Sequence, residues 1–248
     1  KVSVITVCFN SAATIADTLR SVAEQTHADV EHIVVDGGSK DGTMEIIAGM
    51  PNRIARLVSE PDCGIYDAMN KGLALATGDI VGFLNADDVY AHDGVLAGMA
   101  TIVQAEGLDI LYGDVALFHP GKTLRPFRRY RSESFSPARI AWGWMPAHPA
   151  LFVMRRVFEC AGYFKTDYRI AGDFEFVARL FGQGGLRYRH LPEVLVRMRA
   201  GGVSTAGWRN TVLLNREVLR ACRENGIDTN IFKILSKYPL KLLEFVRP

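Results

Sequence analysis

The apolar stretch from Ile80 to Leu84 in "DIVGFLNADDVY" ends at Asn85, Ala86, Asp87 and Asp88. Adjacent carboxylates at the mouth of a buried strand, with no His or Cys beside them, suit a hard divalent cation such as Mg2+ or Mn2+, held through oxygen and shared with substrate phosphates. Asn and Asp here would equally form a turn or cap the next helix. Asp173, at the head of "DFEFVARLF", is the second candidate. Phe174, Val177 and Phe181 recur on one helical face, so Asp173 stands at the positive end of a helix dipole, which favours its ionised form. An ionised carboxylate is what takes the proton of an attacking hydroxyl. An N-cap is the rival role. Glu175 is turned away two residues on, so the two acids do not form a working pair.

The elements that must position these groups follow from hydrophobic patterning. "VSVITV" reads as a buried strand, and "SAATIADTLRSVAEQ" as a helix with Ile15, Leu19 and Val22 on one face and Ser11 as its N-cap. "EHIVVD", "ARLVSE" and "DIVGFLN" are further strands, separated by helices at "DGTMEIIAGM" and "GIYDAMNKGLALA". This βαβα alternation predicts a mostly parallel sheet covered by helices, with ligands beyond the carboxyl ends of its strands. Those ends carry Phe9 and Asn10, then Asp36, then Glu60 and Asp62, then Asp87 and Asp88, so one rim collects the acids. After residue 110 the pattern loosens into "DILYGDVALF", a turn at "HPGKT", a basic stretch and a Trp/Pro-rich loop. A strand and helix in "LFVMRRVFECAGYF", the helix of Asp173 and two strand-like runs in "LRYRHLPEVLVRMR" follow.

Composition excludes several classes. The 248 residues carry 29 basic and 27 acidic side chains, a balance unlike that of a protein that wraps nucleic acid. Basic residues gather in two places, at Lys122, Arg125, Arg128, Arg129, Arg131 and Arg139, and again after residue 207, as expected if something anionic is held locally. Four cysteines, at 8, 63, 160 and 222, form no metal-binding or disulfide spacing, which points to a reducing compartment. The opening "KVSVITVCFN" reads as a strand rather than a leader, and no apolar run reaches 18 residues. "CFNSAAT" lacks the glycines of a dinucleotide-binding turn, and "GKT" at residues 121–123 lacks the earlier glycine of a P-loop.

Four blocks, in order, carry a resemblance: "VSVITVCFNSAATIADTLRSVAEQT", "HIVVDGGSKDGT", "SEPDCGIYDAMNKGLALATGDIVGFLNADD" and "YRIAGDFEFVARL". Together they resemble a family 2 glycosyltransferase with the GT-A fold, a Rossmann-like, mostly parallel α/β sheet covered by helices. The likeness spans residues 1–205 and is nearest to bacterial enzymes of exopolysaccharide, O-antigen and colanic acid synthesis. It implies a nucleotide-sugar-binding half over residues 1–110 and an acceptor-binding, catalytic half over 111–205. A helical extension over 206–248 would follow.

Residue by residue, the resemblance implies that Phe9, Asn10, Asp36 and Asp62 surround the base and ribose, with Lys71 nearby. Asn85 would contact ribose or metal-bound water, Asp87 would hold Mn2+ or Mg2+, and Asp173 would be the catalytic base. His148 and Trp144, with Gly202 and Ser204 of "AGGVST", would line the diphosphate and acceptor cleft. For each there is a plainer role: a tight loop for Asp36, a solvated helix face for Lys71, core packing for the tryptophans, an ordinary turn for the glycines. Two departures stand out: Asn85 replaces the first acid of the family's D-x-D, and Gly172 replaces the Glu that often precedes the base. The implied activity is inverting, metal-dependent transfer from a UDP-linked sugar to a hydroxyl of a lipid-linked saccharide. The alternative is an inactive nucleotide-sugar-binding subunit or scaffold. In the tail, "NIFKILSKYPLKLLEFVRP" places Ile231, Ile234, Leu235, Tyr238 and Leu242 on one face with Lys233, Lys237 and Lys241 flanking it. That pattern fits the inner surface of a cell membrane, the body of the protein or a partner subunit. The expected location is therefore cytoplasmic, peripheral on that surface, with no nucleic-acid partner.

Overall fold

A computed structural model describes residues 1–119, 126–182, 184–201 and 207–239. The strands are β1 (Val2–Cys8), β2 (Val30–Asp36), β3 (Ile54–Ser59), β4 (Ile80–Phe83), β5 (Val89–Tyr90), β6 (Ile110–Phe118), β7 (Arg128–Tyr130), β8 (Leu151–Met154) and β9 (Tyr188–Arg199). The helices are α1 (Ile15–Ala23), α2 (Thr43–Gly49), α3 (Ile65–Leu75), α4 (Val95–Glu106), α5 (Arg155–Ala161), α6 (Gly172–Gly182), α7 (Trp208–Glu224) and α8 (Ile231–Leu235), with 3-10 turns at Pro137–Trp142 and His148–Ala150.

One sheet runs in the order β3-β2-β1-β4-β8-β6-β9-β5, with β7 paired to β6. The β3-β2-β1-β4 half is wholly parallel, in the register Val2↔Val30 and Val2↔Ile80 around β1. Every residue of β1 is buried, and its side chains alternate between faces. Ile5 and Val7 join Met69 and Leu73 of α3 in a core completed by α5, α6 and α7, whereas Val2 and Val4 pack with Leu96, Met99 and Val103 of α4. The second half is mixed. β8 is antiparallel to both β4 and β6, and β6 is parallel to β9.

Three local expectations need correction. α1 begins at Ile15 with Thr14, not Ser11, at its cap, and the Ser11 N–H instead meets Thr43 Oγ1 at 2.8 Å. "LRYRHLPEVLVRMR" forms one long strand, β9, rather than two. Pro192 lies where its register against β6 shifts, because a residue without an N–H cannot continue the ladder there. In the tail, α8 is five residues long and docks on the body, with Ile234 buried and Tyr238 Oη accepting from Asn215 Nδ2 at 2.8 Å. Lys237 is 4 % exposed and packs over Gly143 instead of flanking a free helix face. Ile231, Leu235 and Phe232 face outward, so the proposed single apolar face is split. Leu242, Lys241, Lys122, Arg125, Gly202 and Ser204 lie outside the described residues.

Candidate active site

The parallel half brings the carboxyl ends of β1, β2, β3 and β4 to one rim, and the first three open into one corner. Phe9 leaves β1 with its ring 62 % exposed, and Asn10 follows in the left-handed region at φ 50°. Asn10 Oδ1 accepts the Lys40 N–H at 3.0 Å, and the Asn10 N–H donates to Ser39 Oγ at 2.7 Å, tying the first loop to the second. A Cβ on Gly37 would stand 2.4 Å from Asp62 Oδ2 and 3.3 Å from Phe9 Cδ2, so only glycine lets the Phe9 ring and the Asp62 carboxylate approach this closely.

Asp36 is buried beneath this corner. Its Oδ2 accepts from the Gly38 N–H at 3.1 Å and Ser59 Oγ at 2.7 Å, while the Ser39 N–H and hydroxyl complete its shell. Burial opposes its charge, but the donors from Ser39, Ser59 and Gly38 prevail and hold the carboxyl below its ordinary range. Asp36 therefore organises the loop that presents Phe9 and Asp62. Lys71, on α3, reaches the Pro61 carbonyl at 3.0 Å and Glu60 at 2.8 Å and fixes the Glu60–Asp62 loop against the helix.

Asn85, Asp87 and Asp88 form the next part of the rim. Thr18 Oγ1 holds the Asp88 carbonyl at 2.8 Å, and the Asp88 N–H bonds the Asn85 carbonyl at 3.0 Å, closing a tight turn between β4 and β5. Two side-chain oxygens in this turn, Asn85 Oδ1 and Asp88 Oδ1, are buried without a hydrogen-bond partner. Unpaired buried oxygens are costly and call for a ligand. Burial, then the neighbouring Asp87 charge, pushes the Asp88 carboxyl well above its usual range; burial also raises Asp87, against the pull of Arg199. Among the described residues no three His, Cys, Asp or Glu side chains form a metal cage. An all-oxygen set of two acids and one amide, crowded and partly unsatisfied, nonetheless fits a hard cation whose remaining ligands are water and phosphate.

Asp173 opens α6. Its Oδ1 accepts the Phe174 N–H at 2.8 Å, and the Tyr66 hydroxyl lies 3.4 Å away. Burial raises its pKa, moderated first by His148 and then by the Phe174 N–H. His148 is pulled the other way, because burial lowers its pKa while Asp173 raises it. Phe83, two residues before Asn85, stacks on the His148 ring with centroids 5.6 Å apart. A continuous run of neighbours therefore joins the acidic turn to Asp173. α3 makes a second link: it starts directly after the Asp62 loop and carries Tyr66 to Asp173. Trp144 lies half-buried in the loop before His148, and Trp142 is exposed.

Patterning alone missed Tyr66, Phe83 and Arg199. Tyr66 looked like one more apolar residue of a helix, and its hydroxyl gains meaning only when α6 is placed over it. A Cβ on Gly172 would come within 2.7–2.9 Å of the Tyr66 ring, so the glycine that departs from the family pattern makes room for that aromatic. A cavity of about 240 Å³ lined by Asp109, Arg156, Cys160 and Leu186 lies at the opposite rim, at the amino end of β6.

This architecture is that of GT-A glycosyltransferases. A family model for glycosyl transferase family 2 matches residues 3–160, and the chain belongs to that family. The PGL/p-HBAD biosynthesis glycosyltransferase of Mycobacterium bovis is 34% identical over 222 residues, covering 88% of this chain and 82% of the relative. Among solved structures, S. aureus TarS superposes with a TM-score of 0.68 at 20% identity, over 96% of this chain and 42% of TarS. A shorter TarS, residues 1–349, has been solved in complex with UDP-GlcNAc. The mannosyltransferase PcManGT from Pyrobaculum calidifontis, in complex with GDP-Man and Mn2+, gives 0.65 at 23% identity, over 95% of this chain and 68% of its own.

Proposed function

We propose that this glycosyltransferase moves a sugar from a UDP-linked donor to a hydroxyl of a lipid-linked saccharide, with inversion, in the synthesis of a bacterial surface polysaccharide. The observation that carries the reading is the continuity from the Asn85–Asp88 turn through Phe83 and His148 to Asp173. It sets a diphosphate-holding group and a proton acceptor at one end of the sheet. Complexes of TarS with UDP-GlcNAc and of PcManGT with GDP-Man and Mn2+ support a nucleotide-sugar donor.

In this scheme Phe9 presents its exposed ring to the base, and Asp62, beside it, accepts from base or ribose. Asp36 and Lys71 hold those loops. Asp87, Asp88 and Asn85 would hold Mn2+ or Mg2+, which supplies positive charge to the departing diphosphate. Asp173 takes the proton as the acceptor oxygen bonds to the anomeric carbon from the face opposite the leaving group. The bond from that carbon to the diphosphate oxygen breaks, and UDP leaves with its electrons. Residues 1–110 serve the donor and 111–205 the acceptor, with 206–248 as an extension. No helix among the described residues is long and apolar enough to cross a membrane. The exposed Phe232, Ile231 and Leu235 of α8, beside Lys233, would rest on the inner leaflet where a lipid-linked acceptor resides.

A thermal-shift panel of UDP-, GDP- and TDP-sugars with and without Mn2+ tests the reading. A ligand that binds only the folded chain raises its melting temperature. UDP-sugars are expected to stabilise the chain most, and only with the cation. A shift that is indifferent to Mn2+ and chelator removes the Asp87 metal site.

A further inference from the structure

α7 lies beyond the residues matched by the family model, and one of its side chains reaches the segment that leads into Asp173. Glu217 is 7 % exposed. Its Oε1 accepts the Arg169 N–H at 2.8 Å, and its Oε2 accepts the N–H groups of Ile170 and Ala171, each at 2.8 Å. Ala171 is the residue whose carbonyl starts the α6 ladder, accepting the Glu175 N–H at 2.9 Å. The carboxylate thus satisfies three successive amides just ahead of the helix, where a local Ser, Thr, Asp or Asn would ordinarily cap, and places a negative charge at the positive end of its dipole.

The opposite side of this segment is held as firmly. The Tyr66 hydroxyl donates to the Ile170 carbonyl at 2.7 Å, and its ring packs against Gly172 with no room for a side chain. Further along the same face of α7, Glu224 accepts from Lys165 Nζ at 2.8 Å and from Tyr168 Oη at 2.9 Å, while Arg220 pairs with Asp167. Residues 217, 220 and 224 follow helical spacing, so one face of α7 grips the chain from 165 to 171. The exposed pairs at Arg220 and Glu224 contribute little individually. Glu217 differs, since it is buried and bonds only backbone.

We propose that Glu217 is a positioning residue for Asp173, acting through the backbone of residues 169–171 and making α7 part of the catalytic unit. This rests on the reading of Asp173 as the proton acceptor. Between Glu217 and Asp173 there is one clamped segment and the first residue of α6, so loss of the clamp translates directly into misplacement of the Asp173 carboxylate. A displacement of about 1 Å at a reacting group can cost on the order of 100-fold in rate.

The test uses the full chain and four proteins: unaltered, Glu217→Gln, Glu217→Ala and Asp173→Asn. Amide hydrogen exchange over residues 166–175, UDP binding with Mn2+, and UDP release from UDP-glucose, UDP-galactose and UDP-GlcNAc are measured well below each melting temperature. Glu217→Gln keeps the shape and one acceptor oxygen, so it remains informative if Glu217→Ala does not fold. Exchange at 169–171 is expected to quicken at least ~10-fold in both Glu217 variants. kcat should fall about 10- to 100-fold in Glu217→Ala and less in Glu217→Gln, while KM for the donor and Kd for UDP stay within about twofold. A purely structural role would lower the melting temperature and leave kcat of the folded protein unchanged. That result, or unchanged exchange at 169–171, overturns the proposal while leaving Asp173 as the base. Full turnover by Asp173→Asn instead overturns the base assignment, and the role of Glu217 falls with it.

Discussion

Three groups from three elements surround the Asp173 carboxylate: Tyr66 from α3, His148 from the turn before β8 and the Phe174 N–H of α6 itself. Burial is the largest influence on its pKa and raises it, so the base is protonated at a higher pH than an exposed aspartate. A base works only when deprotonated, so kcat is expected to fall with acid along a limb that lies above the ordinary carboxylate range. Steady-state rates from pH 4 to 9 check this, and an acid limb at the ordinary Asp value would contradict it. Asp173→Asn keeps the shape but cannot accept the proton. Turnover should drop by about 100-fold or more, with UDP affinity unchanged by titration calorimetry. At the acidic turn, Asn85→Asp would restore a second charge beside Asp87. Tighter Mn2+ binding is expected, read as a fall of several-fold in the cation concentration that gives half-maximal UDP binding.

At the scale of elements, the donor rim depends on β1 and β2 holding register, and a buried knot at their amino ends contributes to this. Glu31, at the start of β2, accepts from Ser3 Oγ of β1 at 2.6 Å, from the Thr77 N–H at 2.8 Å and from Lys1 Nζ at 3.0 Å. Burial opposes the charge, yet these donors lower its pKa from 4.5 to about 2. The folded pKa lies below the unfolded one. The stabilisation is therefore complete above pH 4.5 and is lost as pH falls towards 2. After allowance for screening, Glu31→Gln should cost about 2 kcal/mol at neutral pH, with a gap that closes between pH 4.5 and 2 in urea titrations. The helices were unequally legible. α1, α2 and α3 announced themselves by spacing, whereas α4, with apolar residues around much of its surface, gave a weak periodic signal and was not anticipated.

For the molecule as a whole, the C-terminal segment decides how the enzyme meets its acceptor. α8 is tied down by Ile234, Lys237 and Tyr238 and presents Phe232 outward at 81 % exposure. If this face rests on a leaflet, Phe232→Glu should reduce co-sedimentation with vesicles containing phosphatidylglycerol several-fold while leaving the melting temperature within about 1 °C. Equal sedimentation of the two proteins would remove the membrane role.

The parallel half of the sheet and its acidic rim were determined locally: each strand is a short apolar run, and the polar residues that end it are adjacent in sequence. The chain order of those runs therefore sufficed to put Phe9, Asp36, Asp62 and Asp87 at one edge. Contacts between distant segments were of another kind. The Gly172–Tyr66 packing, the stacking of His148 on Phe83, and the hold of Glu217 on residues 169–171 each join positions tens of residues apart. No local propensity encodes them, because whether a buried glutamate is a solvated helix residue or a clamp depends on which amides the tertiary packing brings against it.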